Sequence, residues 1–119
     1  MSKEMSPDYE LASVIYLFNN ANKPVWFTRL CEVMDGRRTR NQISHLLDVL
    51  DAYCITDEKY AKTDDGRGVW VLAYNIDQDA QGLIKEACDK YSDEGSFLFD
   101  VNRRIEGGEF GPMGESQEL

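Results

Sequence analysis

Arg37, Arg38 and Arg40 crowd one short stretch of the chain, with Thr39 and Asn41 among them and Ser44 and His45 a turn further on. Guanidinium groups at this density can clamp phosphate. Three arginines near a turn are equally the solvated edge of a fold, with Asp35 close enough to pair with them. His45 is the sole histidine, so one chain can build neither a multi-histidine metal site nor a catalytic histidine pair. Cys31, Cys54 and Cys88 are odd in number, widely spaced and outside any C-x-x-C pattern, which reads as reduced thiols and not as a disulfide framework or zinc site. Asp64 and Asp65 precede Gly66 as ordinary turn chemistry, with no EF-hand spacing after them. No glycine-rich phosphate loop, G-x-S-x-G elbow or acid/base carboxylate pair is present. The residues therefore predict no enzyme, no cofactor and no metal.

The elements that must hold these side chains have room for one packed core. The 119 residues carry 22 acidic against 13 basic side chains, a net charge of −9, and more than half of that excess falls after residue 91. Such acidity disfavours loose attraction to nucleic acid while leaving local patches free to bind a phosphate backbone. No apolar run approaches the roughly 18 residues of a membrane span, and MSKEMSPDYE has no apolar signal segment, so the expectation is a soluble, cytoplasmic protein without a membrane partner.

Ser6-Pro7-Asp8 reads as a helix start, and Leu11, Val14, Ile15 and Phe18 supply one face of a helix over about 7–20. Phe27, Leu30, Cys31 and Met34 give a short second helix that ends near Asp35-Gly36. Thr39 and Gln42 have capping-box spacing, so a third helix starts there. Its stripe Ile43, Leu46, Leu47, Leu50 and Cys54 predicts a buried face that includes the Cys54 thiol, with Arg40, Asn41, Ser44, His45 and Asp48 on other faces. Extended runs over 55–62 and 69–74, separated by turn formers, predict a β-hairpin. A fourth helix over about 77–91 carries Ala80, Leu83, Ile84, Ala87, Cys88 and Tyr91, with Gly82 either weakening it or permitting close approach. The acidic segment 92–119 has a short helix at 96–106 and is expected to be disordered beyond about residue 107. Trp26, Tyr60, Trp70 and Tyr74 read as core aromatics before they read as a ligand pocket or a stacking surface.

Three stretches in this order resemble the winged helix-turn-helix family of transcriptional regulators, the broad group that includes MarR, ArsR and PadR types. Phe27-Thr28-Arg29-Leu30 with Met34 is similar to the family's second helix. The run from Arg38 to Leu50 is similar to its recognition helix, and Asp64-Asp65-Gly66-Arg67 before Val69-Trp70-Val71 to a wing tip. The implied fold class is α+β: a three-helix core, a two- to three-stranded β wing and an additional C-terminal helix. That domain would occupy residues 1–91, with its recognition helix at about 39–54 and its wing at about 55–74.

The resemblance implies a sequence-specific, double-stranded DNA-binding regulator. Arg37, Arg38, Thr39, Arg40, Asn41, Ser44 and His45 would lie at or near the major groove, and Arg67 on the wing near a phosphate. Arginine can grip guanine through two bonds, asparagine can pair with adenine, and the amides at Thr39 can meet phosphate. A homodimer would follow through Leu83, Ile84, Ala87 and Tyr91, placing two recognition helices about one DNA turn apart. Two features depart from the family pattern. Asp48 and Asp51 stand where it often carries lysine or arginine, and Cys54 stands where glycine commonly ends the helix. The alternative is a winged-helix protein-interaction module in which the acidic surface and the 97–105 segment dock on another protein. A redox-sensing regulator acting through Cys31 or Cys54 would need an exposed thiol.

Overall fold

In a computed structural model, which describes residues 5–63 and 68–110, the first helix, α1 (Pro7–Asn20), begins where Pro7 pre-sets the backbone. Ser6 is its extended N-cap, but the hydroxyl makes no capping bond; Asp8 and Glu10 sit at the electropositive end instead. Leu11, Val14, Ile15 and Phe18 are wholly buried. The stripe read from the sequence thus becomes the centre of the molecule, with three later helices and the second strand of the hairpin packed around it.

A short α2 (Phe27–Val33) buries Leu30 and Val33. Gly36, at a φ of +81°, then turns the chain toward α3 (Arg40–Ala52) in a conformation that glycine adopts without a Cβ clash. The capping box is present in full. The Gln42 amide donates to Thr39 Oγ1 at 3.1 Å, and the Thr39 amide donates to Gln42 Oε1 at 2.8 Å. Ile43, Leu47 and Leu50 are buried, whereas Arg40, Asn41, Ser44, His45, Asp48 and Asp51 are exposed.

The end of α3 corrects one expectation. The helix stops at Ala52, and Cys54 takes the left-handed conformation, φ +57°, that glycine usually supplies. Its amide donates to the Asp51 carbonyl at 3.0 Å and that of Ile55 to the Leu50 carbonyl at 2.9 Å, the paired bonds of a Schellman stop. Because the helical period ends two residues earlier, Cys54 leaves the apolar stripe and is exposed. Ile55 takes its place in the core.

The hairpin pairs β1 (Thr56–Lys62) with β2 (Trp70–Ile76) antiparallel, in a register that sets Thr56 opposite Ile76, Tyr60 opposite Leu72 and Lys62 opposite Trp70. Asn19 fixes β2 to α1. Its side chain donates to the Tyr74 carbonyl at 3.2 Å and accepts from the Ile76 amide at 2.9 Å. The Tyr74 amide also donates to the Val25 carbonyl at 2.8 Å, which joins the segment before α2 to the sheet edge. The outer half of the hairpin extends past the core, so Tyr60 and Trp70 are 72% and 63% exposed instead of packed inside; Tyr74 and Trp26 are half-buried.

A single 3-10 turn, Gln78–Ala80, capped by the Asp77 carboxylate, leads into α4 (Gln81–Lys90). Ile84 and Cys88 of α4 are buried in the same core as α1. Ser96 caps α5 (Phe97–Glu106), accepting from the Phe99 amide at 3.1 Å, and Leu98, Val101 and Ile105 join that core. Expected disorder does not begin at residue 107: Phe110 is buried, its ring 5.2 Å from that of Phe18 in an edge-on contact. Residues 92–110 are therefore part of the packed unit. Among the described residues the result is an α+β fold of five α-helices and one two-stranded antiparallel sheet. No described helix is long and apolar enough to cross a membrane.

Candidate functional site

The outward face of α3 gathers four of the eight residues expected to meet DNA. With Ile43, Leu47 and Leu50 turned inward, the helix must present Arg40, Asn41, Ser44 and His45 to solvent over its first two turns, and Asp48 and Asp51 over its second half. Arg40 is steadied from below, its guanidinium lying 5.0 Å from the centre of the Phe27 ring on α2. A shallow hollow beside it is lined by Pro7, Arg38, Asn41 and His45. Apart from Gln42, whose carboxamide closes the capping box, the face therefore offers one guanidinium, one carboxamide, one hydroxyl and one imidazole within about two helical turns.

Arg37 and Arg38 are engaged elsewhere. Arg37 donates through Nε and Nη2 to the two carboxylate oxygens of Glu10, at 3.1 and 2.6 Å, and its guanidinium lies over the Phe97 ring at 4.3 Å. Nη2 of Arg38 stands 3.9 Å from the same carboxylate, and its Nε is buried without a hydrogen-bond partner. Among the described residues it is Glu10, and not Asp35, that meets these arginines. The contact ties the turn before α3 to α1 and to the first turn of α5. Thr39 is committed too, since its hydroxyl and amide close the capping box and the Gln42 amide is thereby occupied.

Sequence reading missed Glu10 as a partner, although a signal was present: it lies four and eight residues before Val14 and Phe18 and so shares their face of α1. It also missed Arg29, which is 6% exposed, lies 4.1 Å over the Trp26 ring and donates to the carbonyls of Pro24 at 3.0 Å and Phe110 at 3.2 Å.

The remaining predicted residues are scattered. Asp64, Asp65, Gly66 and Arg67 lie outside the described residues. On α4 and its C-cap Tyr91, Ile84 is wholly buried within the chain, Ala87 and Tyr91 are half-buried, and Leu83 alone of the four is well exposed. Ile84 is thus taken up by the chain's own core, while Leu83, Ala87 and Tyr91 each keep part of their surface in solvent. Burial is the main influence on both the Cys31 and Cys88 thiols and pushes their pKa values up, against a hydrogen bond shared with the Ser92 hydroxyl that lowers that of Cys88. Among the described residues no group of three or more histidine, cysteine, aspartate or glutamate side chains converges as a metal site. Comparison of the chain with protein-family models, with characterised proteins and with solved structures gives no match in any of the three.

Proposed function

We propose that this chain is a winged-helix regulator of transcription that binds double-stranded DNA with the first half of α3, the hairpin serving as its wing. The observation that carries the reading is the division of α3. Its exposed first two turns, Arg40, Asn41, Ser44 and His45, hold hydrogen-bonding groups free of carboxylates, and Asp48 and Asp51 are confined to the second half. In helix-turn-helix recognition the N-terminal residues of the inserted helix meet base edges, and carboxylates further along it can remain clear of the backbone. Arg40 suits guanine and Asn41 suits adenine.

The test is enrichment from a pool of random duplex DNA at two salt concentrations. Arg40→Ala and Asn41→Ala are the informative variants, because Arg37 and Arg38 hold the fold together through Glu10 and their loss would confuse binding with stability. Recovery of a motif by the wild type, with a loss of about 1–3 kcal/mol in Arg40→Ala, supports the reading. A two-fold symmetric motif supports a homodimer on the DNA. The engagement of Arg37 and Arg38 by Glu10, together with exposed Asp48 and Asp51, favours the second reading, a protein-interaction module. No enrichment even at low salt selects it.

A further inference from the structure

Two of the large apolar side chains that the fold leaves in solvent, Tyr53 at 74% and Leu83 at 47% exposure, line one groove, with Tyr9 beside them. Three elements build it: the first turn of α1, the Schellman stop of α3 and the start of α4. The same groove is lined by Asp8, Asp77 and Asp79 and, among the described residues, by no lysine or arginine. Two of these acids are fixed in place. The Asp77 carboxylate accepts from the Asp79 amide at 2.9 Å, and that of Asp8 from the Tyr9 amide at 3.0 Å. Glu10, Asp89 and Glu109 each have a cationic partner, but no lysine or arginine among the described residues pairs with any of these three aspartates.

An apolar floor with an unneutralised acidic rim limits what can cover it. A purely apolar partner would strand carboxylates at the edge of a dry contact, which costs free energy unless a cation or donor replaces the lost water. A second copy would bring a chain of net charge −9 against an acidic surface. A segment with an apolar anchor flanked by lysine or arginine satisfies both the floor and the rim. We propose that this groove docks a basic amphipathic helix of another protein, with leucine-like anchors against Tyr53 and Leu83 and cations facing Asp8, Asp77 and Asp79. The site is about 20 Å along α3 from Arg40, at 1.5 Å per residue, so it does not compete with contacts made by the first half of that helix.

The experiment is fluorescence anisotropy of a labelled helical peptide of leucine and lysine, with leucines at i, i+3 and i+4 spacing, titrated with the full chain. A peptide with glutamate for lysine is run in parallel. Expected is saturable binding of the lysine peptide, none of the glutamate peptide, and at least about tenfold weaker binding by Tyr53→Lys/Leu83→Lys/Asp79→Lys. Asp93→Lys/Glu94→Lys, which changes the net charge equally in the turn before α5, should weaken binding less than about twofold by the same electrostatic argument. Should the triple variant fail to fold by circular dichroism, the single exposed-site variant Leu83→Ser carries the test, with at least about threefold weakening expected for one lost anchor. Equal weakening by the groove and control variants would overturn the proposal in favour of diffuse charge attraction, and no binding by the wild type would overturn it outright. Wild-type self-association lost in Leu83→Lys would reassign the groove to a second copy. Duplex DNA binding unchanged in the groove variants is expected and separates this result from the fate of the α3 reading.

Discussion

Glu10 holds more of this molecule together than its charge type suggests. Its carboxylate side chain is 8% exposed and meets two arginines from the turn before α3. Arg37 retains 44% of its exposure, so the pair is worth less than a fully buried one. Removing the acid, however, takes from two guanidinium groups the carboxylate they share, and one of them already has a buried, unsatisfied Nε. Glu10→Ala should cost about 1–3 kcal/mol, read as a lower urea midpoint with an unchanged slope. At the same scale the three thiols should separate by access. Cys54 is exposed, Cys31 half-buried and Cys88 buried, so a thiol reagent at mild alkaline pH should modify Cys54 first and reach Cys88 only on unfolding. Mass spectrometry of the partly labelled chain reads the order. The sign of the pH effect follows from the raised thiol pKa of Cys88. The unfolded chain loses that proton first, so the contribution of Cys88 to stability is complete below the unfolded thiol pKa and declines as pH rises through the folded value. The alkaline fall in urea midpoint should therefore be shallower in Cys88→Ala than in the wild type.

Helix ends and helix interiors carry two changes that should stabilise the chain. Cys54 occupies the left-handed residue of the stop after α3, where a Cβ costs about 1 kcal/mol relative to glycine. Cys54→Gly should recover about that amount and leave the capping box untouched. Gly82 lies within α4 with open space around it, since an added Cβ would meet nothing within 4 Å. The close approach that its position allowed in principle is absent at this site, and only the entropic weakness remains. Gly82→Ala should therefore raise stability by about 0.5–1 kcal/mol. Thermal melts of the single and double variants check both, and additivity is expected because Cys54 makes its stop bonds within the end of α3 and an added Cβ at Gly82 would touch nothing within 4 Å.

Across the whole molecule, the residues after α5 close the core. Phe110 packs edge-on against Phe18, and its carbonyl accepts from Arg29, which also lies over Trp26. One aromatic ring thus joins α1, α2 and the end of α5. Phe110→Ala should cost about 3–5 kcal/mol, the range for truncating a buried aromatic, and should raise hydrogen exchange in α5 before that in α1. If stability were unchanged, the acidic segment would be an appendage and not part of the core.

Local chemistry alone was sufficient for much of this. The stripe of α1, the Thr39–Gln42 capping box, the two strands of the hairpin and the short helix after residue 96 all follow from interactions spanning a few residues, so they are legible in order along the chain. So are the identities of the polar residues on α3, because a helix with one apolar stripe has to expose the others. What each polar residue is free to do depended on partners distant in sequence. Arg37 and Arg38 read as available cations until Glu10, 27 residues from Arg37, reached them across the fold. Tyr60 and Trp70 read as core because their residue types pack well in sheets, but a hairpin that outreaches the helices beneath it leaves them in water. Ile84 read as a surface for another chain, and α1 covers it within this one. Periodicity fixes which side of an element is apolar; only the packed chain decides what that side meets, since burial is a property of the neighbours and not of the residue.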